Sequence, residues 1–547
     1  MNTIDQKLTL PFLFNESVRE NEDRPALGFA GGESKKYKDL NTDVLALMSM
    51  LETLNVKAGD KVAILSANMP NWGVVYLAIT SMGAIAVPVL PDFSPTEITS
   101  ILQHSETKIA FVSKKLRQKI DCEQIQSLKK LIAVEDFSII SGGQDTQFEN
   151  GTEPVKNYEV NEEDIASIIY TSGTTGKSKG VMLTHKNLTY TALKTKKIQD
   201  VIPGDRMLSI LPLSHTYENT LGFILPLISG AAVYYLSQAP TPSVLIPALK
   251  KVKPTLMLSV PLVIEKIYKN KVLPTFKKNK ALELLYAIPV TRKLLNHAAG
   301  SKLKETFGGE LKFFGIGGAK LNKHVERFLR EAKFPYAIGY GLTETSPLLA
   351  GCNPQSTLLQ STGKTLEGVE VKIHNPDPAT GEGEIWARGP SVMKGYYKEP
   401  ELTAEVFTED GWFKTGDLGV FDNQNNLFIK GRLKNMIVGN SGENIYPEDI
   451  EMVINNFRHV VESIVTEKKG KIVALVHFNM DEIEQKYQEF KGEVANYFDN
   501  KLDELRNELH SYINFRVSRF ARVQQVFIQN KPFEKTPTQK IKRFLYK

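Results

Sequence analysis

Residues 170–180, YTSGTTGKSKG, gather more hydroxyl-bearing and glycine residues than any other stretch of this chain. Thr171, Ser172, Thr174, Thr175 and Ser178 alternate with Gly173, Gly176 and Gly180. Such a turn offers many hydroxyl and backbone N–H donors, which suits it to wrap a polyphosphate. Lys177 and Lys179 add compensating charge. The spacing differs from a Walker A loop, because two residues rather than four separate Gly173 from Gly176, although a Lys-Ser pair follows. The same small residues also serve as a plain surface turn.

The elements around the loop follow a regular rhythm. From about Lys61 short β-rich runs alternate with helical patterns: VAILSA, a helix over 71–82, AIAVPVL, then a helix from Ser94. This is the pattern of βαβ units on a parallel sheet. It returns at 107–112, at 165–170, directly before the glycine-rich loop, and at 206–211. After Asn353 short strands with turn signals predict an antiparallel or barrel-like part. Pro447 suits a first helical turn, and strands over 460–467 and 471–478, a helical stretch over 480–515 and a closing strand VQQVFIQN follow it. The expected class is α/β: a large amino-terminal domain of several subdomains, residues 1–431, and a small mobile α+β domain, residues 432–547. The second has about 115 residues, within the usual range for an independent unit.

The stretch YTSGTTGKSKGVMLTH resembles the phosphate-binding loop of the adenylate-forming superfamily, which includes acyl-CoA synthetases, nonribosomal-peptide adenylation domains and beetle luciferases. Further segments match in the family's order. LPLSHTYENTLGF (211–223) resembles the helix carrying a substrate-side histidine, here His215. GIGGAK (315–320), with Gly317 and Gly318, and GYGLTETSP (339–347) resemble the adenine and magnesium segments. KTGDLGVF (414–421) and KGRLKNMI (430–437) resemble the ribose segment and hinge, and FEKTPTQKIKR (533–543) the carboxy-terminal lysine motif. Gln539 departs from the glycine common in that last motif.

The resemblance implies roles that the chemistry of each residue fits. Glu344 would hold Mg2+ against triphosphate oxygens, as a hard carboxylate ligand does. Tyr340, beside Gly341, offers a flat face to a purine, and Thr343 matches the threonine near the α-phosphate. Asp417 would accept from both ribose hydroxyls, Arg432 would reach ribose or phosphate, and Lys434 matches the hinge about which the small domain turns. Lys540 would stabilise charge on the phosphoryl group and leaving pyrophosphate as a carboxylate attacks. His215 reads as positioning the carboxylate, since a fatty acid is already ionised near neutral pH, or as a buried structural histidine. The loop VGNSGENI (438–445) would line the thiol's channel in the second step, where a thiol of pKa about 8.5 is already partly thiolate. The segments LPLSHTYENT, SVPLVIEKIYK and NSGENIYPEDIE are most similar to long-chain acyl-CoA synthetases. The implied activity is ATP-dependent ligation of a medium-to-long-chain fatty acid to coenzyme A, or to acyl carrier protein, through an acyl-adenylate.

Composition sets the outer limits. At 547 residues more than one packed unit is expected. Hydrophobic residues at 41% and charged residues at 24% describe a globular chain. The net charge of +6 is spread among acids, which argues against nucleic acid. The two cysteines, Cys122 and Cys352, form no metal or disulfide pattern, so a reducing cytosol is expected. The apolar runs at 76–90 and 221–236 are short and contain Pro88 or Pro226, against a spanning helix. Between Glu265 and Lys280 six lysines face one glutamate, and ALELLYAIPVTRKLL continues from there to Leu295. That stretch reads as a solvated helical face or as a patch leaning on anionic lipid.

Overall fold

The structure, a computed structural model, describes residues 7–141, 156–172, 178–439, 443–488, 496–536 and 540–546. The alternating rhythm of the sequence becomes two large sheets. In the first, Lys61–Leu65, Ile85–Val89, Ile109–Val112 and Ile165–Ser172 run parallel, with helices Pro70–Ser81 and Pro95–His104 as crossovers. Ser94 starts the second helix as the sequence predicts. Its hydroxyl accepts the Glu97 N–H, and the Glu97 carboxylate accepts the Ser94 N–H at 2.8 Å, a reciprocal cap. The Ser178–Thr184 strand folds back antiparallel on Ile165–Ser172, placing Thr171 opposite Lys179 and Ser172 opposite Ser178. The glycine-rich segment that joins these strands in the sequence, with Gly173, Thr174, Thr175, Gly176 and Lys177, lies outside the described residues.

In the second sheet the parallel order is Tyr336–Gly341, Phe313–Ile316, Leu256–Ser259, Arg206–Ser209, Ala232–Tyr235 and Pro25–Phe29. The largest apolar cluster takes residues from both sheets, among them Val62, Ile64, Val233 and Leu258. Helix Pro70–Ser81 crosses this core and is buried on nearly every side, because it is apolar all round. Its Trp72 and Tyr76 rings stack at 5.3 Å, and Phe223 meets both edge-on.

Of the two forms expected after Asn353, antiparallel or barrel-like, the structure has the first, an open antiparallel sheet. Glu370–His374, Gly383–Arg388, Phe413–Phe421 and Leu427–Arg432 pair in that order, and among the described residues the first and last do not pair with each other. Four short strands give too small a circumference to close around side chains.

The carboxy-terminal portion has a core of its own, drawn from Ile437 to Val526. Val460–Lys468 pairs antiparallel with Lys471–Phe478, which pairs in parallel with Gln525–Ile528. Helix Asn496–Arg516 lays Leu505, Leu509 and Ile513, one turn apart, into that core. Contacts from here to the larger portion include polar ones: Lys320 Nζ to Asp449 at 2.6 Å, Asn322 Nδ2 to Asn456 Oδ1 at 2.9 Å, and Lys269 Nζ to the Val460 carbonyl at 3.0 Å. A cavity of about 350 Å³ opens beside them, lined by Lys320, His324, Lys430, Asp449 and Asn456. Among the described residues no helix is long and apolar enough to cross a membrane.

Candidate active site

The site lies where the parallel strands of the second sheet end, the usual place for a ligand crevice in an open α/β sheet. Tyr336–Gly341 ends there, and a short turn, Thr343–Thr345, leads into the returning strand Leu348–Gly351. The return is tight: a Cβ on Gly341 would lie 1.6 Å from the Pro347 carbonyl oxygen, so only glycine fits. This holds Tyr340, Thr343 and Glu344 close together on one bend. At the end of the neighbouring Phe313–Ile316 strand, the Gly317 N–H donates to the Ser259 carbonyl at 3.1 Å, and Gly318 adopts φ +84°. A Cβ on Gly317 would come within 3.2 Å of the Tyr217 ring.

Tyr340, Asp417 and Arg432 are in direct contact. The Tyr340 hydroxyl donates to Asp417 Oδ2 at 2.8 Å, and Arg432 Nε stands 2.9 Å from Oδ1. The strand register requires it, because Asp417 and Arg432 are opposite each other in the antiparallel pair Phe413–Phe421 and Leu427–Arg432. Burial pushes the Asp417 carboxyl upward, while Arg432, the Tyr340 hydroxyl and Lys540 act against it and Glu344 adds to it. Lys434 follows on the exposed turn Leu433–Asn435, where the chain leaves this sheet.

Lys540 comes to the same place from the other core. The Lys540 N–H donates to Thr536 Oγ1 at 3.2 Å, and the Thr536 N–H to the Lys540 carbonyl at 2.7 Å, while Lys535 binds Glu462 at 2.6 Å. The loop between, with Gln539, lies outside the described residues. The Lys540 side chain keeps access to solvent yet stands deep enough among protein groups that desolvation, with the Arg432 charge, holds its pKa below the ordinary lysine value. Asp417 and Glu344 oppose that shift. One ammonium, one guanidinium and two carboxylates therefore share a small volume around Tyr340.

Glu344 is tied to the glycine-rich hairpin through a residue that sequence reasoning missed. The Tyr396 hydroxyl donates to Glu344 Oε1 at 2.9 Å, and the Met393 N–H donates to the Glu344 carbonyl at 2.8 Å. Tyr396 belongs to Gly395–Tyr396, which pairs with Ser178–Thr184, and Lys179 Nζ lies 5.0 Å from the centre of its ring. Nothing in GYY separates Tyr396 from its neighbour Tyr397 before the register is known. Among the described residues no group of three acids, histidines or cysteines is set to hold a metal ion. A lone carboxylate still fits Mg2+, which keeps several waters and binds through one or two carboxylates plus substrate phosphates.

His215 stands at the head of the helical segment that continues as the π-helical turn Glu218–Ile224. Desolvation, with the nearby Lys540 charge, lowers its pKa to about 4. Its Nδ1 accepts the Tyr217 N–H at 3.3 Å, so the neutral ring carries its proton on Nε2. Behind it the π turn buries a polar group that the sequence did not reveal. Glu218, Asn219 and Thr220 are fully buried, and neither oxygen of Glu218 makes a hydrogen bond of normal geometry. Burial pushes the Glu218 carboxyl up to about 8, with the nearby Ser209 hydroxyl opposing.

Known proteins are similar to this chain in sequence and fold. The chloroplastic long-chain-fatty-acid–[acyl-carrier-protein] ligase AEE15 of Arabidopsis thaliana is 30% identical, over 93% of this chain and 80% of its own length. The long-chain-fatty-acid–CoA ligase heimdall of Drosophila melanogaster is 29% identical, over 84% of this chain and 74% of its own. Among solved structures, the o-succinylbenzoate coenzyme A synthetase MenE of Bacillus subtilis, in complex with ATP and magnesium ion, superposes with a TM-score of 0.75 at 22% identity. That match covers 97% of this chain and 98% of MenE and shows a common fold. The family model of AMP-binding enzymes matches residues 14–397, which run from the first helix through the glycine-rich segment to Tyr397. That match spans well over half of the sequence, and the chain belongs to the AMP-binding enzyme family.

Proposed function

We propose that the protein activates a medium-to-long-chain fatty acid with ATP as an acyl-adenylate and transfers the acyl group to coenzyme A. The observation that carries this reading is the convergence of Lys540 with Asp417, Arg432 and Glu344 around Tyr340. The substrate class rests on the names of the relatives, both of which act on long-chain fatty acids.

In the first step the triphosphate is bound by the glycine-rich segment, Thr171 to Lys177, and by the Tyr340–Glu344 bend. Adenine stacks on Tyr340 beside Gly317 and Gly318, and Asp417 with Arg432 holds the ribose. Glu344, fixed by Tyr396, would hold Mg2+, which would neutralise triphosphate charge. His215, neutral and protonated on Nε2, donates to a carboxylate oxygen of the fatty acid and takes no proton from it. That carboxylate attacks the α-phosphorus near Thr343 and displaces pyrophosphate. Lys540 stabilises the negative charge that builds on the transferring group. Its lowered pKa in the ligand-free site rises again once a polyanion binds beside it.

In the second step the domain of residues 432–547 turns about Lys434, withdraws Lys540 and presents 438–445 to the incoming thiol. The polar contacts between the two portions support this motion, since surface ion pairs exchange readily with water. The reducing cytosol remains our reading of its location, supported by two free thiols, Cys122 and the buried Cys352.

Acyl carrier protein is the second reading for the acceptor, favoured by the relative that covers 93% of this chain. Pyrophosphate release with fatty acids of graded length, with coenzyme A or carrier protein supplied, tests both. Release with long acids and thioester on coenzyme A supports the main reading. Thioester on carrier protein alone supports the second, and no release with any fatty acid refutes both.

A further inference from the structure

The lysine-rich stretch noted in the sequence divides in two. Its first half is tied into the protein: Glu265 accepts the Asn322 N–H at 2.9 Å, and Lys269 binds the Val460 carbonyl. The second half leads into a helical hairpin, Lys280–Ala287 and Pro289–Thr306, which joins strands Leu256–Ser259 and Phe313–Ile316 of the second sheet.

One side of this hairpin is firmly seated. The Arg292 guanidinium binds Glu331 through two N–H groups at 2.9 and 3.1 Å, and Asn296 Nδ2 donates to the same carboxylate at 2.7 Å. Tyr286 stacks on Phe276 at 4.4 Å and donates to Asn296 at 3.1 Å. Gly300 packs so closely that a Cβ would lie 2.4 Å from the Ala332 carbonyl oxygen.

The other side is apolar and bare. Leu284, Val290 and Leu294 are 69%, 70% and 67% exposed, with Leu285 and Ile288 beside them, and helix Lys280–Ala287 buries no residue at all. Val290 and Leu294 are one helical turn apart in the second helix and share a face, Leu284 and Leu285 belong to the first helix, and Ile288 links the two in an extended conformation. A rim of charge surrounds them. Lys277, Lys278, Lys280 and Lys293 are exposed, and from 277 to 304 the acid in the sequence is Glu283 alone. An apolar face rimmed by lysine on a rigid base matches an interface that is anionic outside and hydrocarbon inside. A protein partner of the same face would need acids placed to meet these lysines, whereas an anionic bilayer presents them everywhere.

We propose that the hairpin of residues 280–306 docks this protein on the surface of an anionic lipid bilayer. Leu284, Leu285, Ile288, Val290 and Leu294 enter the acyl boundary, and the four lysines meet the head groups. The docking depends on this surface alone and stands whether or not the substrate is a fatty acid.

The test is co-sedimentation of the full chain with phosphatidylcholine vesicles, with and without phosphatidylglycerol, at low and high salt, and with neither ATP nor fatty acid present. The expected result is partitioning onto the anionic vesicles at least about tenfold stronger than onto neutral ones, weakening as salt rises. Two variants, Leu284→Gln/Val290→Gln/Leu294→Gln and Lys277→Gln/Lys278→Gln/Lys280→Gln/Lys293→Gln, should each lose at least about tenfold while keeping their thermal midpoint. All seven residues are exposed, so these variants are expected to fold. Wild type that ignores anionic vesicles, or binding that survives in both variants, overturns the proposal. So does light scattering that shows a concentration-dependent dimer abolished by the apolar variant, with no partitioning onto vesicles.

Discussion

Arg432 and Tyr340 hold the two oxygens of one carboxylate, Asp417, from opposite portions of the fold: Nε at 2.9 Å from Oδ1 and the hydroxyl at 2.8 Å from Oδ2. A carboxylate pinned in this way presents its remaining lone pairs in a fixed direction. Asp417→Asn keeps the size but replaces one acceptor oxygen by a donor and removes the charge facing Arg432. Hydrogen bonds to charged groups contribute about 1.5–3 kcal/mol, so nucleotide binding should weaken about tenfold to a hundredfold. Titration calorimetry with ATP checks this, and unchanged affinity would remove Asp417 from the ribose role.

Lys540 should matter to one half-reaction and not to the other. Lys540→Ala removes the ammonium that faces Asp417 and Glu344, and adenylate formation should fall by about a hundredfold or more, the scale of losing one charge-stabilising group. Thioester formation from supplied acyl-adenylate should stay within about threefold of wild type, because the proposed rotation takes the lysine away. Equal losses in both half-reactions would refute the division of labour.

How far the sequence foretold this arrangement differs from part to part. Local signals carried far: Ser94 marked a helix start, and Pro447 stands at the first position of Pro447–Asn455. Strand 471–478 matches the strand of the structure residue for residue. Periodicity is a property of neighbours in sequence, and these elements depend mainly on neighbours. The pairing of Asp417 with Arg432 depends instead on register between strands, and the link from Tyr396 to Glu344 on a strand added from 52 residues away. Neither leaves a local trace. The sequence left an antiparallel sheet and a barrel both open for the same reason, since closure is decided by which edges meet. Glu218 was hidden differently, as three polar residues in a row, ENT, carry no sign of burial and are wholly inside.

Stability above neutral pH should report on Glu218. Its carboxyl is pushed up to about 8 from an unfolded value of 4.5, so the folded state holds an extra proton between those limits. Its contribution is complete below pH 4.5 and is lost as pH rises through 8, at up to about 1.4 kcal/mol per pH unit. His185 and His215, lowered to about 4, act in the opposite sense and only below their unfolded value of 6.5, and Glu451 stops contributing above about 7. Between pH 6.5 and 8 the thermal midpoint of the wild type should therefore fall with pH, and that of Glu218→Gln should fall clearly less. Parallel curves would show that Glu218 is charged throughout.

The Gly341→Ala variant tests whether the bend that gathers Tyr340, Thr343 and Glu344 tolerates any side chain. Its Cβ would sit 1.6 Å from the Pro347 carbonyl oxygen, and that atom is backbone, so no rotamer change relieves the contact. The strands Tyr336–Gly341 and Leu348–Gly351 must then part locally, moving Tyr340 away from Asp417. Overpacking of this kind costs about 1–3 kcal/mol, which a chain of this size should survive folded. The expected outcome is a lowered thermal midpoint together with at least a tenfold loss of ATP affinity, about 1.4 kcal/mol or more. A variant with lowered stability and wild-type ATP binding would show that the nucleotide does not depend on this bend.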